Sequence, residues 1–205
     1  MGLDEALDIE EEVFSKISPI IINRLSRTLG FEIQDGIPSS LINMPKEKLI
    51  NLITALSVNW LADDGIWFQT VENRYELYTS KRCNDTCWTR YSPLEARTIK
   101  SFLNIPEEPG LEGLEKALNF RLYAQINKQT IERTKEKLIF KMVACRVQEA
   151  RKRKGLTDYP CKSGGIIEYS TFASTIDHRI KTECIACPPD EHPDDLSCAW
   201  IFYIP

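Results

Sequence analysis

The stretch TECIACPPDEHPDDLSCAW, residues 182–200, gathers three of the chain's seven cysteines and one of its two histidines. Cys184 and Cys187 form a C-x2-C pair, and Cys198 follows across a loop rich in Pro and Asp. Thiolate is a soft, charged zinc ligand. Two residues of turn bring both sulfurs of C-x2-C onto one ion, and four thiolates in a tetrahedron satisfy Zn2+ without water. Cys161 is the expected fourth ligand. It stands one turn before Gly165, Tyr169, Phe172 and Ile176, the packed face of a helix, and a helix N-terminus stabilises a thiolate. The expected set is therefore Cys161, Cys184, Cys187 and Cys198. His192, at C-x4-H from Cys187, and Cys145, on a neighbouring strand, are rivals for the fourth position. An iron–sulfur cluster also takes four thiolates. Zinc is favoured by the helix-plus-hairpin clasp and by the lack of a C-x2-C-x2-C run. The alternative for any single cysteine is a small buried hydrophobe.

A second group of residues suits a binding pocket. WLADDGIWFQTVENRYELY (60–78) places Trp60, Trp67, Phe68 and Tyr75 among the carboxylates Asp63, Asp64 and Glu72. Aromatic walls with a few polar groups are the usual make-up of a small-molecule site. The same residues also read as core aromatics, with Asp63 and Asp64 capping a helix. Other residues carry weaker signals. Cys83 and Cys87 are one turn apart, which makes two ligands at most. Asp177 precedes His178, but no nucleophile is positioned by that His. The basic run RKRKG (151–155) reads as a solvated loop in an acidic protein.

These residues must be positioned by elements of two kinds. Val13, Ile17, Ile20, Ile21 and Leu25 recur at helical spacing over 4–28, and Leu49, Leu52, Ile53, Leu56 and Trp60 repeat the pattern. ADDG (62–65) predicts a break before a second aromatic helix. SPLE (92–95) predicts a capping box opening another helix to about Leu103. From residue 113 the period changes. Leu118, Phe120, Leu122, Ala124 and Ile126 alternate with polar residues, as in a half-buried strand, and KLIFKMVACRV (137–147) reads as an antiparallel partner. A helix follows from Cys161. RIKTECIA and CAWIFYI then read as two strands joined by the Cys-rich loop. The expected fold is α+β in a single domain, 1–205. A mainly helical half, 1–110, packs on an antiparallel sheet in 111–205, a half that also carries one long helix and the metal-binding hairpin. The apolar face of that sheet needs a cover. The expected pocket therefore lies between layers, with Trp60, Trp67, Phe68 and Tyr75 facing Leu118, Phe120 and Leu122.

Composition bounds the function. At 205 residues the chain can bury a sizeable core. Its net charge of −4 gives no general basic field for nucleic acid. The acidic start MGLDEALDIEEEVF is unlike a signal peptide, and the longest apolar runs fall far short of a membrane span. A cytoplasmic protein is expected, and there seven cysteines argue for metal or reactive thiols before disulfides.

The order of strand, Cys161, helix, Cys184-x2-Cys187, loop and Cys198-aromatic strand resembles the 4-vinyl reductase-type small-molecule-binding domain. The resemblance implies a metal site at those four positions. Cys184 replaces a more usual carboxylate, and the loop PPDEHPDDLS is longer. WLADDGIWFQTVE and the half that follows are also similar to the family named for L-2-amino-thiazoline-4-carboxylic acid hydrolase. Motifs such as ARKRKGL and ECIACPPD look closest to uncharacterised prokaryotic cytosolic relatives. The expected function is binding of a small, largely apolar ligand by a zinc-stabilised domain, without nucleic acid or membrane, and a homodimer is left open. One alternative is a hydrolase of a cyclic amidine or amide. It would need Cys161 off the metal and Glu183 or His178 as base, because a catalytic zinc keeps a position for water. Another is an iron–sulfur or redox protein.

Overall fold

The computed structural model describes residues 2–205 and divides into two compact units, the first ending at Leu56 and the second running Ser57–Pro205. In the first unit, α1 (Leu3–Leu29) is closed by Gly30, whose left-handed backbone lets its N–H bond Ser26 O at 2.8 Å. The stretch read as a plain connector contains a minimal hairpin, β1 (Ile33–Gln34) and β2 (Ile37–Pro38). Asp35 and Gly36 both take positive φ, as a two-residue hairpin turn requires. A short α2 (Ser39–Ile42) precedes α3 (Lys46–Arg74).

Two helical breaks expected from sequence are absent. Helix α3 runs through Ala62–Gly65, since one interior glycine costs only about 1 kcal/mol. Helix α4 (Leu77–Phe102) carries Pro93 in its interior instead of starting there. Ser92 does not cap: it is fully buried, and its Oγ donates to Glu168 O at 2.6 Å, fastening α4 to a later helix.

The largest correction concerns 118–126, which is helix, not strand. It forms the end of α5 (Gly110–Phe120) and all of α6 (Leu122–Ile126), joined at an extended Arg121. Burial follows Leu111, Leu114, Ala117 and Leu118 at helical spacing, while Phe120 is exposed. The apparent alternation broke down because Arg121, counted as a solvent-facing residue, is buried with charged partners from other helices.

The sheet is antiparallel in the order β3-β4-β6-β5, with β3 Lys128–Arg133, β4 Lys137–Ala144, β5 Lys181–Ala186 and β6 Cys198–Tyr203. Leu138, Phe140 and Met142 of β4 are buried, and in register Leu138 pairs with Phe202 and Phe140 with Trp200. This face packs beneath α5 and α8 (Lys162–Ile176), and α8 in turn lies against α4. The residues after β4 form α7 (Arg146–Arg153), not a strand end and a basic loop. The second unit is thus an α+β layer structure with its core between sheet and helices. The fit is tight at Gly165, where an added Cβ would stand 2.6 Å from Trp200 Cζ2.

Candidate functional site

The bulge in β5 explains how the hairpin cysteines meet. Cys184 pairs with Trp200 and Ala186 with Ala199, so two steps along β5 match one step along β6. The extra residue resets the alternation. Cys184 and Cys198 therefore belong to the face that carries Trp200, the face covered by α8, and Cys187, buried just after β5, lines the same cavity as Cys198. Cys161 is the N-cap residue of α8, and the Lys162 N–H bonds Pro188 O at 2.8 Å, tying the helix start to the loop after Cys187.

The four thiols are neighbours. Cys187, fully buried, lies beside Cys161 and Cys198, and Cys184 lies beside Cys187. These neighbours and burial push the Cys187 thiol far above its ordinary range. Gln148 of α7 is buried; its Nε2 donates to Cys161 Sγ at 3.2 Å and to Tyr159 O at 2.9 Å, and its Oε1 accepts from Tyr159 N at 2.8 Å. Among the described residues, no group of three or more His, Cys, Asp and Glu side chains is arranged to hold a metal ion. The donor set fits zinc in kind, since Cys161, Cys184, Cys187 and Cys198 supply four sulfurs.

The rivals are placed differently. The Cys145 thiol lies close enough to Cys161 and Cys198 to feel both, and burial pushes it up to about 12. His192 is occupied elsewhere, with Nε2 3.7 Å from Asp158 Oδ2 and Nδ1 3.1 Å from Asp190 O. Cys83 and Cys87 are exposed on α4, and all seven cysteines are free.

The thiols form part of the wall of a cavity of about 820 Å³ inside the second unit, which Cys145, Cys161, Cys187 and Cys198 all line. Aromatic rings from Trp88, Tyr123, Tyr159, Tyr169 and Trp200 supply much of the rest. Exposed lining residues, Arg153 at the end of α7, Lys154 and Leu156 after it and Ile66 on α3, mark its open side; Cys187, Trp200 and Glu168 mark its depth. Of the residues expected at the pocket, Phe68 lines it and stacks edge-on against Tyr159 at 5.0 Å. Trp60 lies behind the wall, against Trp88, Tyr91 and Tyr123. Trp67, Tyr75 and Phe120 are exposed and take no part in the lining.

Polar groups cluster at two places. Asp64 accepts from Asn84 Nδ2 at 3.2 Å, and Asn84 Oδ1 accepts from Tyr159 OH at 3.2 Å. Burial holds the Asp64 carboxyl above its ordinary range, aided by Asp63 and opposed by Lys81. Deeper, Glu168 meets Arg121 at 2.7 Å, and Arg121 Nε donates to Glu95 at 2.9 Å. The Arg121 guanidinium is buried against the ring of Phe172, 4.7 Å from its centroid. Burial raises the Glu168 carboxyl, and Arg121 pulls it back down. Sequence reasoning missed this triad: its members are separated by dozens of residues, and each alone looks like a solvated charge. Trp200, almost wholly buried, keeps its Nε1–H without a partner. Glu183 and His178 line a separate, shallower hollow with Ser170 and Tyr203, away from the thiols.

No helix is long and apolar enough to cross a membrane, among the described residues. Comparison with curated proteins finds no match, and comparison with solved structures finds none either. Residues 42–204, most of the chain and all of the cavity and thiol cluster, match a family of unknown function, DUF6125, and the chain belongs to that family.

Proposed function

We propose that this protein binds a small, largely apolar and flat molecule in the cavity of its second unit, and that Cys161, Cys184, Cys187 and Cys198 hold a zinc ion that fixes the wall beside it. The observation that carries this reading is the thiol cluster on the wall of an aromatic cavity. When bound, zinc would take four thiolate sulfurs and tie the start of α8 to the β5–β6 hairpin. Four thiolates leave no position for water, so the ion is structural. Glu183 and His178, the bases a hydrolase would need, lie in the other hollow. The ligand gains most from leaving water among Phe68, Trp88 and Tyr169. Its polar groups have Asp64 and Glu168 to donate to. The unpartnered Trp200 Nε1–H, a buried donor that costs about 1–3 kcal/mol when unsatisfied, awaits an acceptor.

Native mass spectrometry of freshly purified protein tests both parts. One zinc per chain is expected, together with a releasable organic mass. Ala150→Trp, which fills the cavity from α7, should abolish the organic mass and keep the zinc. Protein free of metal would overturn the zinc assignment. Equal retention of small aromatic probes by Ala150→Trp and the parent chain would overturn the pocket.

A further inference from the structure

Helix α1 is an amphipathic helix whose apolar stripe is buried at Leu7 and uncovered beyond it. Ile9, Val13, Phe14, Ile17, Ile20, Ile21, Leu25 and Leu29 are 40–69% exposed and fall on one side of the helix. Its half-buried side carries Ser18, Ile22 and Ser26 instead. Within the first unit α1 has no extended packing partner.

We infer that α1 pairs antiparallel with α1 of a second copy of this chain, about a two-fold axis at Ile17. Charge placement argues for this occupant. Glu10 and Arg24 stand at the middle of the apolar stripe, and each is seven residues from Ile17. With Ile17 on the axis, Glu10 of each copy lies level with Arg24 of the other, so both charges are paired. In a parallel pair they would face their own kind. The rest of the helix follows the same rule: Glu5, Glu10, Glu11 and Glu12 fill its first half, and Arg24 and Arg27 its second. Neither Glu10 nor Arg24 has an ion-pair partner within the chain among the described residues. An isologous contact requires this antisymmetry about one residue, and a foreign partner does not.

A membrane surface suits the helix poorly, since interfacial helices carry Lys and Arg on the polar face and this one opens acidic.

Sedimentation velocity on the full chain tests the pairing. A dimer is expected. Glu10→Arg or Arg24→Glu alone should weaken it about tenfold or more, because each change sets like charges together at two symmetric places. The combined Glu10→Arg/Arg24→Glu variant should return to near the parent affinity. Ile17→Asp, on the axis, should give monomer with unchanged helical circular dichroism. A parent chain that stays monomeric, a combined variant no tighter than the single ones, or a dimer that survives Ile17→Asp would each overturn the inference. So would binding of the monomer to phosphatidylserine vesicles through α1.

Discussion

The side-chain amide of Gln148 joins two helices through a sulfur atom: it donates to Cys161 Sγ at 3.2 Å while its other contacts hold Tyr159. If Cys161 holds the proposed zinc, this donor would help set the ligand's orientation, as outer partners of metal ligands do. Gln148→Leu should therefore lower stability by about 1–3 kcal/mol, because the Tyr159 N–H and C=O lose their partners in a buried place. Urea unfolding measures the loss. Zinc competition with a chromogenic chelator should show weaker retention.

Stripping the metal should loosen the second unit selectively. Cys187→Ser removes the sulfur at the centre of the neighbouring thiols and should release zinc outright, whereas Cys83→Ser, on exposed α4, should leave it in place. Zinc content by elemental analysis and near-ultraviolet circular dichroism from Trp200 and Tyr169 report the two effects.

Arg121→Met should destabilise the fold by about 3–5 kcal/mol, since it leaves Glu95 and Glu168 as uncompensated buried carboxylates. Burial already raises the Glu168 carboxyl and Arg121 is what pulls it down, so without Arg121 the folded variant binds more protons than its unfolded chain. The deficit should shrink as pH is lowered from 8 towards 5. Adding Glu95→Gln and Glu168→Gln should recover much of the loss at neutral pH. Chemical denaturation across that pH range decides it.

Asp177 accepts from Arg179 and from the Gly110 N–H at 2.9 Å, and these bonds hold its carboxyl well below its ordinary value of 3.8. The group's contribution is fully present above that ordinary value and is lost as pH falls towards the depressed one. Asp177→Asn should therefore be less stable than the parent chain at pH 6, and the gap should narrow on acidification. Urea midpoints at a series of pH values give the comparison.

Gly165→Ala gains helix propensity but sets a methyl 2.6 Å from the Trp200 ring. Overpacking of this kind costs about 1–3 kcal/mol, more than the gain of about 1 kcal/mol. A lower melting temperature is expected, and a higher one would show that Trp200 moves freely.

The sequence made some elements legible and hid others for physical reasons. Leu138, Phe140 and Met142 alternate on a sheet buried on one face, so period two was a true signal there. The same alternation at Leu118, Phe120 and Leu122 misled, because the helix axis breaks at Arg121 and its burial depends on Glu95 and Glu168. Local pattern carries no trace of a charge whose partners are remote. Cys161 could be placed at a helix start because Gly165, Tyr169, Phe172 and Ile176 follow it on one packed face. The pocket was harder. Its depth is lined by Tyr123, Tyr169 and Trp200, whose neighbourhood arises only when α6, α8 and β6 come together. Trp67 and Tyr75, conspicuous in the sequence, face water.

The bulge in β5 gives Ile185 an unusual kind of importance. Its side chain is half exposed, so most residue types should serve there. Its place in the count is another matter. Removing it would shorten C-x2-C to C-x-C and erase the extra step between Trp200 and Ala199. One missing residue would then separate the paired sulfurs as surely as replacing one of them. At this position the protein can tolerate almost any letter, but not a deletion.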